Sequence, residues 1–217
     1  HHKPQYKDSE MTAPTSEIAL AYIGGGSLNW AQVLMADLIH DGTVATHVRL
    51  YDLDTAAATR NANIGNRLSE AHGVPVRYTV ARSLAEALTG TDFVVISILP
   101  GTFDDMANDV DLPAAEGISQ SVGDTVGPGG FVRAMRAIPA MAEIGEAIRL
   151  HAPRAFVCNL TNPMSVLTGT LYAVFPEIRA WGECHEVTKL RHLVAWLANQ
   201  GEETPRYRHS DVQINVL

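Results

Sequence analysis

The run Ile18-Ala19-Leu20-Ala21-Tyr22-Ile23 ends directly in Gly24-Gly25-Gly26-Ser27, and this junction constrains the fold more than any other part of the sequence. A near-continuous apolar run of that length reads as a parallel strand buried on both faces. Glycines placed immediately after it let the chain turn sharply into a helix. Apolar residues at helical spacing follow from Leu28 to Ile39, and Asp41-Gly42 ends them. Strand, glycine turn and helix in that order present a helix N-terminus on which a pyrophosphate can be held.

The same alternation continues along the chain. His47 to Tyr51 reads as a second strand closed by Asp52, Thr55 to Ala71 as an alanine-rich returning helix, and Val76 to Val80 as a third strand before a short helix from Ser83 to Leu88. Asp92 to Ile98 is dominated by β-branched residues and is expected to be a central fourth strand. A long loop is predicted between Pro100 and Gly130, then a helix from Phe131 to Leu150, a strand over Ala155 to Asn159, and a further helix after Pro163. This order predicts an α/β fold with a doubly wound, parallel, Rossmann-type sheet and right-handed crossovers. Tyr207 to Leu217 reads as the beginning of another strand. The expected organisation is a tag-like, disordered terminus over 1–15, a dinucleotide-binding domain over 16–200, and over 201–217 only the start of a truncated second, α+β substrate and metal domain.

Composition narrows the function. With 217 residues, 46% of them hydrophobic, the chain can bury one sizeable core. No stretch approaches the roughly 20 uninterrupted apolar residues that span a bilayer. Sixteen basic against 24 acidic side chains give a net charge of −8, which disfavours a nucleic-acid surface. A small-molecule ligand is the expectation, with neither nucleic acid nor membrane as partner. Two cysteines, Cys158 and Cys184, are too few for a disulfide scaffold, and a cytoplasmic location is expected. The sequon at Asn159-Leu160-Thr161 is then read as chance.

Gly24, Gly25, Gly26 and Ser27 are the candidate cofactor residues. They fit the first two positions of the G-x-G-x-x-G fingerprint, with Asn29 in place of the third glycine. Asp52 ends the next strand, where a carboxylate accepts hydrogen bonds from the ribose hydroxyls of NAD and disfavours NADP; Asp54 is the alternative in a shifted register. Ligands of doubly wound sheets sit beyond the carboxyl ends of the strands. Leu99-Pro100-Gly101, Asn159 to Pro163, and Gly182 to Val187 are expected to converge there. In the last of these, Cys184 is a candidate thiolate metal ligand beside His185, an imidazole able to move protons. His151, His192 and His209 lack such a context and read as structural or solvated.

Taken together, the glycine turn with Ser27, the segment Gly123 to Phe131 leading to Arg136-Ala137-Ile138-Pro139, the pair Asn162-Pro163, and Cys184-His185-Glu186-Val187 resemble glycoside hydrolase family 4. The resemblance implies a glycosidase that uses NAD and a divalent metal, Mn²⁺, and so departs from two-carboxylate chemistry. NAD oxidises the sugar's C3 hydroxyl, the metal-polarised ketone acidifies the C2 proton, a base removes it, the glycosidic oxygen leaves, water adds, and the stored hydride returns. By motif, Cys184 looks like the metal ligand, His185 like the general acid, and Asn162 like a sugar-binding residue. Phosphosugar members carry Cys-Asp and an Arg after the fourth strand, where this chain has His185 and Leu99. Cys-His-Glu-Val resembles instead the α-galacturonidase branch, so an α-galacturonide is the implied substrate and a homo-oligomer the implied assembly. The family's second metal ligand and catalytic base are expected beyond Leu217. Two other readings remain open from the residues: an NAD-dependent dehydrogenase of the lactate and malate type, and a non-catalytic NAD-binding module.

Overall fold

The computed structural model describes residues 17–120, 124–200 and 206–215. The tag-like terminus, Gly123, residues 201–205, Val216 and Leu217 lie outside them. Six strands form one parallel sheet: β1 (Ile18–Ile23), β2 (Thr46–Tyr51), β3 (Val76–Val80), β4 (Phe93–Ile96), β5 (Phe156–Asn159) and β6 (Arg179–Gly182). Their order is β3-β2-β1-β4-β5-β6, the doubly wound arrangement expected from the alternation of elements.

Strand side chains alternate between two cores. Leu20 and Tyr22 of β1 join Val48, Leu50, Val76 and Tyr78 beneath α1 (Trp30–Asp41) and α2 (Thr55–His72). Ala21 and Ile23 face the opposite side, where Val94, Ile96 and Val157 pack with α3 (Leu84–Leu88), α5 (Gly127–His151) and α6 (Met164–Val174). The strand order reverses between β1 and β4, and the crevice above that switch point is where such sheets take ligands. Among the described residues no helix is long and apolar enough to cross a membrane.

Three expectations need correction. The segment predicted as a long loop contains α4 (Phe103–Ala115), and α5 begins at Gly127 rather than Phe131. Thr102 starts α4 with a reciprocal capping box to Asp105, while Asp104, Asp109, Asp111 and Pro113 mask the apolar periodicity in the sequence. Asp109 is only 1% exposed because it bonds Arg136 of α5 through both carboxylate oxygens, at 3.0 and 2.9 Å. The fourth strand stops at Ile96, since the Ile98 N–H donates to Thr161 Oγ1 at 3.0 Å instead of continuing the sheet.

Residues 206–215 contain no strand; His209–Asp211 form a 3-10 turn. Their backbone groups are taken by side chains. Asn199 of α7 (Glu186–Asn199) bonds both the N–H and the carbonyl of Tyr207, and Arg191 Nε donates to the carbonyls of His209 and Val212. A strand at this position would have to break those bonds.

Candidate active site

The glycine turn is packed from three sides. Gly24 sits at φ +97°, and a Cβ there would fall inside the Ser97 carbonyl oxygen after β4. A Cβ on Gly25 would lie 2.7 Å from Leu50 Cβ, and one on Gly26 2.7 Å from Ala57 Cβ. Gly24 and Gly25 both donate to the Tyr51 carbonyl at the end of β2, which fixes the direction of the turn. Ser27 Oγ accepts from the Trp30 N–H at 3.1 Å, so the serine closes the entry to α1. Asn29 supplies no side-chain cap, and the first turn of α1 carries no acidic residue. The positive end of the helix dipole therefore meets the turn unneutralised.

Asp52 stands at the carboxyl end of β2, as expected, but its carboxylate also has a local role. Oδ2 accepts from the Gly26 N–H at 2.8 Å and Oδ1 from the Asp54 N–H at 2.9 Å. Asp54 instead caps α2 by accepting from Ala57 N–H. A second brace comes from Asn61 of α2, 1% exposed, whose amide donates to the carbonyls of Gly25 and Ser27, each at 2.8 Å. The sequence offers no signal for Asn61 beyond a polar residue on the inner face of an amphipathic helix. Asn61→Leu is expected to cost about 2–3 kcal/mol, because one buried and one partly buried carbonyl lose their donor, and to weaken dinucleotide binding. A thermal melt and an NAD titration of the same variant check both effects.

The second cluster grows from β5 and β6. Asn159 is fully buried and closes the turn after β5, its Oδ1 accepting from Thr161 N–H and its amide donating to Thr168 Oγ1. The chain then passes a cis Asn162-Pro163 bond into α6. Asn162 Nδ2 donates to Asp124 at 3.0 Å, just before α5. Glu183 N–H donates to the Asn159 carbonyl, which sets Cys184 and His185 at the carboxyl edge of the sheet. His185 begins α7 with its side chain 52% exposed, Nε2 lying 3.3 Å from Glu186 Oε1. Lys189, 2.9 Å from Glu186, holds that carboxyl below the usual carboxylate range. The ring centroids of Trp30 and His185 are 5.9 Å apart, so the first residue of α1 lies against the Cys-His segment. The two clusters read from the sequence thus lie against each other at Trp30 and His185.

Residues 19–199 match the family model described as family 4 glycosyl hydrolase. The chain belongs to glycosyl hydrolase family 4. The α-galacturonidase of Bacillus subtilis strain 168 is 51% identical over 203 residues, which cover 93% of this chain and 44% of that protein. The crystal structure of the glucosidase lplD from the same organism superposes with a TM-score of 0.84 at 47% identity, over 92% of this chain and 46% of the other. A 6-phospho-α-glucosidase from gut microorganisms, solved in complex with NAD and Mn²⁺, shares the fold at TM-score 0.75 and 22% identity, over 85% of this chain and 42% of that one. The chain thus spans less than half the length of these relatives.

The family 4 residues differ in how far they account for the two groups that the resemblance implies. The closely packed glycines, the first turn of α1 with no acidic residue and the Asp52 carboxylate fit a dinucleotide. A divalent metal is not accounted for in the same way: no three His, Cys, Asp or Glu side chains come together among the described residues. Cys184 and Cys158 are both free thiols, and both are partly buried. Burial, and then the charge of Glu183, push the Cys158 thiol up to about 11, so little thiolate forms there near neutral pH. Native alkylation at pH 8 is expected to label one thiol per chain, and Cys184→Ser to remove that label; rapid labelling of both would contradict the burial of Cys158.

Proposed function

We propose that this chain provides the cofactor and acid-bearing part of an α-galacturonidase, which cleaves an α-linked galacturonide by transient oxidation of the sugar. The observation that carries the reading is the junction of Trp30 with His185, which joins the dinucleotide turn to the Cys184-His185 edge. The 51% identity to an α-galacturonidase supports the substrate class. Gly24, Gly25, Gly26 and Ser27 cradle the pyrophosphate against α1, and Asp52, already braced by two N–H groups, offers its remaining lone pairs to the ribose. Bound NAD supplies a hydride acceptor that returns the hydride at the end of the cycle, so no net redox change results.

His185 acts as the acid that protonates the leaving glycosidic oxygen. Its half-exposed ring can meet a sugar, with Nε2 3.3 Å from Glu186 Oε1. Asn162, oriented by Asp124, hydrogen-bonds the sugar hydroxyls. Cys184 serves as a single thiolate ligand toward a metal such as Mn²⁺. A cytoplasmic homo-oligomer completes the proposal.

Release of galacturonic acid from an α-galacturonide, with NAD and Mn²⁺ each added or withheld under reducing conditions, tests this reading. Release that needs both, without accumulation of NADH, is the expected result. Net NADH formation would indicate a dehydrogenase, and NAD binding with no release under any metal would indicate a non-catalytic cofactor module.

A further inference from the structure

α7 buries little of itself. Its buried residues, Ala195 and Asn199, both lie in its second half, while Leu190, Leu193 and Leu197 stay exposed. Its first turn therefore gains little from apolar burial. His185 stands immediately before that turn with its side chain half exposed. The polar neighbour of the ring is Glu186, itself mostly exposed and shared with an equally exposed Lys189. Exposed charge contacts of that kind are worth little, so they do not hold an imidazole in one pose.

The aromatic neighbour of His185 is Trp30, and its backbone is held firmly. Trp30 opens α1, and the residues that follow it on the inner face, Ala31 and Met35, are each 1% exposed in the core beneath. Its own N–H donates to Ser27 Oγ at 3.1 Å, and one turn on the Val33 N–H donates to the Asn29 carbonyl at 2.9 Å. The indole is thus carried on backbone fixed both to the sheet and to the glycine turn. It remains 41% exposed, and its plane makes 40° with that of His185 at the 5.9 Å centroid separation, within the range where aromatic rings attract. A ring on a fixed backbone lies against a ring on a lightly held one, so the first decides the pose of the second.

We infer that Trp30 is a positioning residue for the acid: its indole holds the His185 ring at the cofactor end of the sheet and ties the pose of that ring to the filling of the Gly24–Ser27 turn. This rests on the assignment of His185 as the acid of a galacturonidase. The link runs through Ser27, which belongs to the turn and bonds the Trp30 N–H. A group that protonates a leaving oxygen must stand within hydrogen-bond reach of it, and a misplacement of about 1 Å costs up to about 100-fold in rate. Trp30 moves no proton itself and acts only through the place it gives His185.

NMR of the His185 ring protons, assigned with His185→Gln and read at one fixed pH, tests the inference in the wild type, Trp30→Leu and Trp30→Phe. The neighbouring indole displaces those signals by its ring current, so Trp30→Leu should move them to the position of a free, exposed histidine and Trp30→Phe should keep most of the displacement. ADP-ribose fills the turn without bringing a nicotinamide ring. It should shift the His185 signals in the wild type, an arm that needs no substitution, and leave them in place in Trp30→Leu. Cleavage of a galacturonide with NAD and Mn²⁺ should fall about tenfold or more in kcat for Trp30→Leu with KM held within about twofold, and recover in Trp30→Phe. His185 signals indifferent to Trp30→Leu overturn the inference, as does an unchanged kcat in that variant. Signals that ignore bound ADP-ribose in the wild type, or that still respond to it in Trp30→Leu, overturn it while leaving the galacturonidase reading in place. A wild type that binds ADP-ribose yet cleaves no galacturonide overturns the galacturonidase reading alone, and the ring signals then still decide whether Trp30 sets the pose of His185.

Discussion

Gly24→Ala is expected to lower stability by about 3–5 kcal/mol, roughly 6–15 °C in melting temperature, and to remove NAD binding. Two effects add. The left-handed backbone at φ +97° costs an L residue about 1–2 kcal/mol, and the new methyl group must displace the Ser97 backbone, which is held by a hydrogen bond to Ile23. Gly73 supplies the control. It also has a left-handed φ, +65°, but nothing lies within 4 Å of an added Cβ. Gly73→Ala should therefore show the conformational cost alone. Equal losses for the two variants, measured by thermal melts, would mean that the crowding at Ser97 is not what fixes the turn.

Arg136→Met should cost about 3–5 kcal/mol, because Asp109 would be left charged, 1% exposed and without its partner. The loss should release α4 from α5 and appear as earlier proteolysis within Phe103–Ala115. The double variant Asp109→Leu with Arg136→Met should recover most of the stability, since an apolar pair replaces the ion pair without a buried charge. A double variant as unstable as the single one would show that shape, not charge, is what holds the two helices.

The first five strands were legible in the sequence because a parallel strand buried on two faces needs an unbroken apolar run, which Ile18 to Ile23 and Phe93 to Ile96 supply locally, whereas β6, the half-exposed Arg179–Gly182 at the sheet edge, has no such run. The glycine turn, Asp52, Asn162 and the Cys184-His185 pair were legible because each stands beside a strand end. What stayed hidden depends on partners far away in sequence. The helix after Pro100 is buried through Asp109, a residue that reads as solvated until Arg136 is placed against it. Asn61 looks like one more polar helix residue until its amide meets the glycine turn. The terminal segment has a strand-like composition, yet the side chains of Asn199 and Arg191 capture its backbone first. In each case a long-range side-chain bond overrode a local pattern.

The pairing of β1 with β4 has a kinetic consequence. Leu20 pairs with Phe93, and the residues between them form their own βα units through β2 and β3. Contacts so distant along the chain close slowly, because loop entropy is lost before any pairing rewards it. Gly24 rests on Ser97, so the dinucleotide turn takes its final shape only when this slow pairing is complete. In refolding from denaturant, the helical signal should return in an early phase, while the ability to bind NAD should appear only with the last one. The ligand would then act as a reporter of chain closure, and nascent chains that have emerged only as far as β3 would already carry every glycine of the turn yet remain unable to hold the nucleotide.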